Sequence, residues 1–360
     1  MSGVLELLRP DLRDFAGYAS ARRATATGTV WLNANESPLP SAADPGLRLN
    51  RYPEPQPAAL QARLAQVYGV EPSQLLLGRG SDEGIDLLVR GFCRAGVDAV
   101  AIAPPCFGMY AVCARVQGAP LVEVALRDEA SGWRLDTEGL VAAVESRGVR
   151  LVFLCSPANP TGQALALDDI AALAGQLRGR AVLVVDEAYG EYSREPSATT
   201  LLKDFDHLVV LRTLSKAHAL AAARIGALIA HPDLVGVLRN LQAPYPIAAP
   251  SATLALAALS SAGLAEASAR GALAVREREA LLPVLGALPG VRRVYPSQGN
   301  YLLVRFADAD AALARLSSAG IVVRDMRALP QLGDALRISV GTPAENAALV
   351  AALAAAEAAA

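Results

Sequence analysis

Lysine is nearly missing from this chain. Of its 33 basic residues only two, Lys203 and Lys216, are lysines, and arginine supplies the rest. A chain that uses guanidinium wherever a fixed charge suffices singles out the places where an amine is kept, because only an amine can lose its proton and attack a carbonyl. Other scarcities narrow the field. Aromatics make up 5% of the 360 residues against an apolar fraction of 53%, so much of the apolar content is alanine. A net charge of −2 gives no basic field, which argues against nucleic acid as a partner. The four cysteines (Cys93, Cys106, Cys113, Cys155) form no C-x-x-C pair and the three histidines are scattered. That is a reduced, cytoplasmic pattern with no disulfide framework and no metal site. No basic and apolar leader opens the chain. The longest uncharged stretch, 240–265, has the length of a membrane span but holds Pro244, Pro246 and Pro250. It reads as loop plus buried helix, so a soluble protein with no membrane partner is expected.

What is present falls into three parts. Residues 1–29 have little periodicity and read as an arm, packing with a small domain or at a dimer interface. Residues 30–260 then alternate helix-like segments with short apolar runs, the signature of an α/β domain with a mainly parallel sheet. Its expected strands are 99–103, 121–125, 151–154, 181–185, 208–211 and 225–230. A helical, alanine-rich stretch around 252–282, closed by Pro283, leads into residues 261–360, a smaller α+β domain. Strands are expected there at 291–295, 301–306, 322–324 and 337–340, with helices at 308–318 and from Pro343, where Thr342-Pro-Ala-Glu345 forms a capping box. The terminal alanine run reads as a fraying helix.

The strand ends carry the chemistry. In a parallel sheet all carboxyl ends lie on one edge, where open α/β sheets bind their ligands. Strand 151–154 runs into Ser156-Pro-Ala-Asn-Pro-Thr-Gly162, strand 181–185 into Asp186-Glu-Ala-Tyr189, and strand 208–211 into Thr213-Leu-Ser-Lys216. Strand 99–103 delivers Pro104-Pro-Cys-Phe107 to the same edge. An amine that condenses with an aldehyde, plus a carboxylate for a pyridinium nitrogen, is the minimum equipment of a pyridoxal phosphate (PLP) enzyme. On that reading Asp186 keeps the pyridine nitrogen protonated, Asn159 and Tyr189 hydrogen-bond the ring oxygen, and Phe107 offers a flat face. For the phosphate, Gly78-Arg-Gly-Ser-Asp-Glu-Gly84 is a glycine turn into a helix start, where Ser81 adds a hydroxyl to the backbone N–H groups. Ser215 and Arg224 complete a clamp. The third glycine falls one residue late for a dinucleotide fingerprint. The bland alternatives are a solvated lysine and a buried strand that meets an acidic turn.

Taken in order, these residues resemble the fold-type-I PLP-dependent aminotransferases, and within them the histidinol-phosphate aminotransferases. The likeness covers nearly the whole chain: Tyr18-x-Ser-Ala-Arg-Arg23, Trp31-Leu-Asn-Ala-Asn-Glu-Ser-Pro38, Arg51-Tyr-Pro-Glu54, Gly78 to Glu83, the three strand-end motifs, Val323-Arg-Asp325 and Leu336-Arg-Ile-Ser-Val-Gly-Thr342. The resemblance implies that Lys216 bonds the cofactor and then shuttles a proton, with Ser81, Asp82 and Glu83 on the cofactor side. It implies that Arg337 grips the carboxylate of glutamate or 2-oxoglutarate, and that Arg324, Arg337 and Tyr18 close on the phosphate of histidinol phosphate. Asn35 would line the substrate side, and Tyr52 would reach across a homodimer interface to the other subunit's cofactor phosphate. Three positions depart from the usual pattern: Phe107 in place of tyrosine, Ala158 before Asn159, and His218 two residues after the lysine. A threonine-phosphate decarboxylase or an aromatic or broad-specificity aminotransferase would share most of these residues. A transcriptional regulator built on the same fold would need a DNA-binding module ahead of Tyr18.

Overall fold

The computed structural model describes residues 3–18 and 29–354. The Ser20 to Arg23 part of the N-terminal motif and the last six residues of the alanine run lie outside the described residues. Seven strands make the large sheet: β1 (Leu75–Gly78), β2 (Ala99–Ile102), β3 (Leu121–Glu123), then β6 (Val149–Cys155), β7 (Val182–Asp186), β8 (Leu208–Thr213) and β9 (Gly226–Ile229). Between β3 and β6 comes a two-stranded hairpin, β4 (Arg127–Glu129) and β5 (Gly132–Arg134). The sheet order is β1-β9-β8-β7-β6-β2-β3, so β7 is the middle strand. Strands β3, β2, β6, β7 and β8 run parallel, and β9 is antiparallel to both β8 and β1. The run 75–77, read from sequence only as the approach to a glycine turn, is one of the two edge strands.

These strands are apolar on both faces because helices cover both faces. Alternate residues separate cleanly. Leu75, Leu77, Ala101, Val152, Leu154, Leu183, Val185 and Val210 face a layer that includes α1 (Ala58–Tyr68), α4 (Thr137–Ser146) and α5 (Leu167–Leu177). Leu76, Val100, Phe153, Val184, Val209 and Leu228 face α2 (Ser81–Phe92), α3 (Met109–Gln117) and α6 (Pro232–Leu241). The described part of the arm lies on this second layer: Val4, Leu7 and Leu8 are buried with α2 and α6, and Arg9 Nη1 donates to the Arg90 carbonyl at 3.1 Å.

The alanine-rich stretch is two helices, α7 (Ala249–Ala258) and α8 (Ser261–Gly286), which meet at 74°. The break falls where Ser260 caps α8 by accepting from the Gly263 N–H. Pro283 does not close this segment; it sits on the exposed side of the last turn, where one lost N–H bond is tolerated, and α8 runs on to Gly286. No single helix among the described residues is long and apolar enough to cross a membrane. The second sheet is antiparallel throughout, in the order β10 (Val291–Val294), β11 (Tyr301–Phe306), β13 (Ala335–Ser339), β12 (Arg324–Asp325). Helices α8, α9 (Ala309–Ser318) and α10 (Pro343–Ala354) cover one of its faces. The capping box forms: the Thr342 N–H donates to Glu345 Oε2 at 2.7 Å, and the Glu345 N–H to Thr342 Oγ1 at 3.3 Å.

One contact decides how close β9 comes to the start of α2. A Cβ on Gly226 would stand 2.2 Å from the Gly80 carbonyl carbon and 2.4 Å from the Ser81 nitrogen, both backbone atoms. Gly226→Ala should therefore destabilise by about 1–3 kcal/mol or more. Gly236→Ala, at an open position on α6, should be neutral or stabilising. Chemical denaturation of the two variants checks the contrast.

Candidate active site

The carboxyl ends of β6, β7 and β8 open on one cavity of about 160 Å³. Topology alone brings Asn159, Asp186, Tyr189, Ser215 and Lys216 to its walls, and Phe107 arrives from the loop after β2. The start of α2 contributes Ser81 and Asp82, and Arg224, just before β9, contributes its guanidinium. Nine residues singled out in the sequence thus share one space.

Asp186 lies 2% exposed at the end of the middle strand. Its carboxylate accepts from the Tyr110 hydroxyl at 2.8 Å and from the Ala188 N–H at 3.1 Å, and among the described residues no cation is paired with it. Burial pushes its pKa up to about 6, against the pull of those two donors. Such a group is poised to hold a proton between itself and a basic nitrogen. Lys216 Nζ lies 5.4 Å from the centre of the Tyr189 ring. Burial, then the positive charge of Arg337, lowers its pKa, which favours the neutral amine needed for attack on a carbonyl.

The other end of the cavity suits a phosphate. Helix α2 begins at Ser81 after Gly80, which offers no side-chain cap, so the first N–H groups of a 12-residue helix face the cavity's edge. Arg224 Nη2 reaches over this turn, 3.0 Å from Asp82 Oδ2 and 3.3 Å from the Arg79 carbonyl. A Cβ on Gly80 would stand 2.5 Å from that nitrogen. Thr213 Oγ1 donates to the Ser215 hydroxyl at 2.9 Å and orients it. An amine, a buried acid without a cation, a helix start, two hydroxyls and a guanidinium are the donor set that PLP requires.

Two arginines come from the second sheet. Arg337 on β13 pairs directly with Arg324 on β12, so both side chains leave the same face as close neighbours. Arg337 Nη1 donates to Asn159 Oδ1, and its guanidinium stacks 5.4 Å above the Tyr301 ring. Neither arginine has a carboxylate at ion-pair distance among the described residues.

Other residues singled out in the sequence lie elsewhere. Glu83 is buried below the cavity floor, where it holds the glycine turn by accepting from the Arg79 N–H at 2.7 Å and the Arg79 guanidinium at 2.9 Å. Tyr52 is half exposed and stacks on Tyr245, ring centres 4.6 Å apart, outside this chain's own cavity. Asn35 is exposed with φ 54°, and Tyr18 is 69% exposed. Sequence reasoning missed Tyr110, Cys155, Thr213 and Tyr301. The signal for Tyr110 was a phenol in the short helix just after Phe107: buried hydroxyls need partners, and the nearest strand end offered an acid. Tyr301 donates to the Ala158 carbonyl at 2.6 Å, so the position before Asn159 acts through its backbone. His218 is buried 3.8 Å from Glu191, which also pairs with Arg212.

The pattern of the family described as aminotransferase class I and II matches residues 22–353. The chain is 60% identical over 357 residues to the histidinol-phosphate aminotransferase of Stenotrophomonas maltophilia (strain R551-3), covering 99% of this chain and 98% of that protein. Among solved structures it resembles the histidinol-phosphate aminotransferase from Sinorhizobium meliloti in complex with pyridoxal-5'-phosphate, with a TM-score of 0.77 and 27% identity over 85% of this chain and 82% of that one. The L-threonine-O-3-phosphate decarboxylase from Porphyromonas gingivalis shares the fold, with a TM-score of 0.71 and 22% identity over 85% of this chain and 90% of that one.

Asp186 gives a pH test in the cofactor-free protein. Its folded pKa is raised from the ordinary 3.8 to about 6, so its stabilising contribution is full below pH 3.8 and is lost as pH rises through 6. Asp186→Asn should escape that loss. The variant should gain on the wild type by up to roughly 3 kcal/mol between pH 4 and pH 8, read from denaturation midpoints at the two pH values.

Proposed function

The chain belongs to the class I and II aminotransferases, and from that premise we propose that it moves an amino group between L-histidinol phosphate and 2-oxoglutarate. The products are imidazole-acetol phosphate and glutamate, the cofactor is pyridoxal 5'-phosphate, and the reaction belongs to histidine biosynthesis. The observation that carries the phosphate reading is the pairing of Arg324 with Arg337. Like charges directly opposite on one sheet face repel unless an anion lies between them. A carboxylate fills one guanidinium fork, whereas a phosphate dianion can engage two.

When bound, PLP supplies an aldehyde carbon that bonds amines and a ring that takes up the electron pair freed at the neighbouring carbon. Lys216 would be the amine that holds this aldehyde, and its Nζ would take the proton from the substrate Cα. Asp186 would hold the proton on the ring nitrogen. Asn159 gives its Oδ1 to Arg337, which leaves its amide N–H groups free to join the Tyr189 hydroxyl at the ring oxygen. Phe107 would cover the ring face without a hydroxyl of its own. The N–H groups at Ser81 and Asp82, the Ser81 and Ser215 hydroxyls and Arg224 would hold the phosphate. Tyr18 and Asn35 belong to the substrate side.

The same reading divides the chain into an arm (1–29), a cofactor domain (30–260) and a small domain (261–360). It places the protein in the cytoplasm as a homodimer. Tyr52 supports the dimer, because it lies half exposed beside Trp31 and Arg51 in a surface depression away from its own cavity.

Three measurements test this reading. Borohydride reduction of the holoenzyme followed by peptide mapping should place the cofactor on Lys216 and none on the exposed Lys203, and Lys216→Ala should abolish transamination. Tyr52→Phe should weaken cofactor retention while the dimer persists in sedimentation; a fully active monomer would exclude that role. The third separates the substrates. Losing a charge-assisted contact to phosphate costs about 1.5–3 kcal/mol, roughly ten- to a hundred-fold. Single-turnover kinetics should show Arg324→Ala losing that much with histidinol phosphate and less with glutamate, whereas Arg337→Ala should lose with both. Equal losses in Arg324→Ala would remove the ground for a phosphate substrate. Carbon dioxide release from threonine phosphate without a keto acid would move the enzyme to the decarboxylases.

A further inference from the structure

The second sheet turns one face to the large sheet, and that face carries two groups of residues. The pairing register puts Arg293 and Arg305 on it, together with Leu303, Ala335, Arg337 and Arg324. The alternate residues Leu302, Val304, Leu336 and Ile338 point the other way, into the core beneath α8, α9 and α10. Tyr295, Leu303 and Ala335 are buried in the same core as the large sheet. Arg305 therefore lies only two strand positions from the register of Arg337, about 7 Å.

At the end away from the cavity, this face is fastened to the hairpin β4–β5. Asp128 on that hairpin accepts from Arg293 Nη1 at 2.9 Å, from Arg305 Nη2 at 3.1 Å and from the Tyr295 hydroxyl at 2.6 Å. Arg305 also donates nearby: Nε to the Tyr295 oxygen at 2.7 Å, Nη1 to Asp334 Oδ1 at 2.5 Å and Nη2 to the Gln331 carbonyl at 2.7 Å. Arg293 Nη2 reaches the backbone carbonyl of Ala130 at 3.0 Å, and Trp133 packs on the Tyr295 ring with centres 5.6 Å apart. One carboxylate thus satisfies three donors, two on strands β10 and β11 and one just past β10, in the sheet that carries the substrate arginines. Asp128 itself does not line the cavity.

We propose that Asp128 is a positioning residue for amino-group transfer. It fixes the angle of the second sheet against the first, and so sets where Arg324 and Arg337 meet the substrate's anion. This rests on the reading above, in which those arginines bind substrate. Removing the carboxylate takes one acceptor from each of the three donors. The sheet is then held to the large one by its apolar contacts, by Arg293 on the Ala130 carbonyl, and at the cavity end by Tyr301 on the Ala158 carbonyl and Arg337 on Asn159.

The test is steady-state kinetics of the Asp128→Ala holoenzyme with glutamate and with histidinol phosphate, and inorganic phosphate as a competing anion. KM for both donors and the inhibition constant of phosphate should rise about three- to thirty-fold. Turnover at saturation should stay within about twofold, because Lys216 and Asp186 are untouched. Cofactor absorbance and the borohydride label on Lys216 should not change. Tyr295→Phe keeps the ring packing and removes one donor, so it should shift KM in the same direction by less. The proposal is overturned if KM and the phosphate constant do not move, or if kcat and cofactor retention fall while KM stays. Should Asp128→Ala fail to fold, Tyr295→Phe decides by the same criteria. A wild-type enzyme that does not turn over histidinol phosphate defeats the substrate reading, while KM for glutamate still judges Asp128.

Discussion

Asp186 has lost nearly all its water and gained only two hydrogen-bond donors, a phenol and a peptide N–H. Few arrangements in a folded chain are so incomplete by themselves, since a buried charge without a cation is costly. The neighbouring elements answer to it. Tyr110 is placed on α3 so that its hydroxyl reaches the acid, and it is itself packed between Phe107 and Phe153. Strand β7 occupies the middle of the sheet, which keeps water from both sides. On the proposed reading the group opposite would bring a positive nitrogen, that of a protonated pyridine ring. The desolvation that raises the Asp186 pKa would then also favour a charged ring beside it.

The near absence of lysine has a structural counterpart. Ion pairs throughout the described residues are built with arginine, whose planar fork takes two or three acceptors at once, as in Arg212 between Glu187 and Glu191. A guanidinium cannot be deprotonated, so no such pair competes with Lys216 for chemistry. Burial and Arg337 act on Lys216, the one lysine amine that lines the cavity.

The sequence was most legible where topology does the work. Asn159, Asp186 and Lys216 follow short apolar runs, and parallel pairing gathers their ends without further information. The observed strands begin and end within about two residues of the apolar runs, since β-branched runs flanked by turn residues define them locally. What escaped was set by distant partners. The hairpin β4–β5 is short and largely exposed, and Asp128 is an ordinary surface acid until Arg293, Arg305 and Tyr295 arrive from more than 160 positions away. The break between α7 and α8 was hidden by alanine, which favours helix on both sides of Ser260. Tyr52 and Asn35 do not line this chain's cavity, a placement that no local pattern around them reveals.

Helix α8 has a mechanical consequence. It starts at the 74° corner beside the large sheet and ends 26 residues later at the second one, a rod of about 39 Å. Midway along it, Ala274 and Val275 pack on the cluster of Tyr189, Tyr192 and Tyr301. The rod is therefore braced at the end of the middle strand as well as at its corner, and any shift of its far end has to be absorbed in the turns beyond Val275.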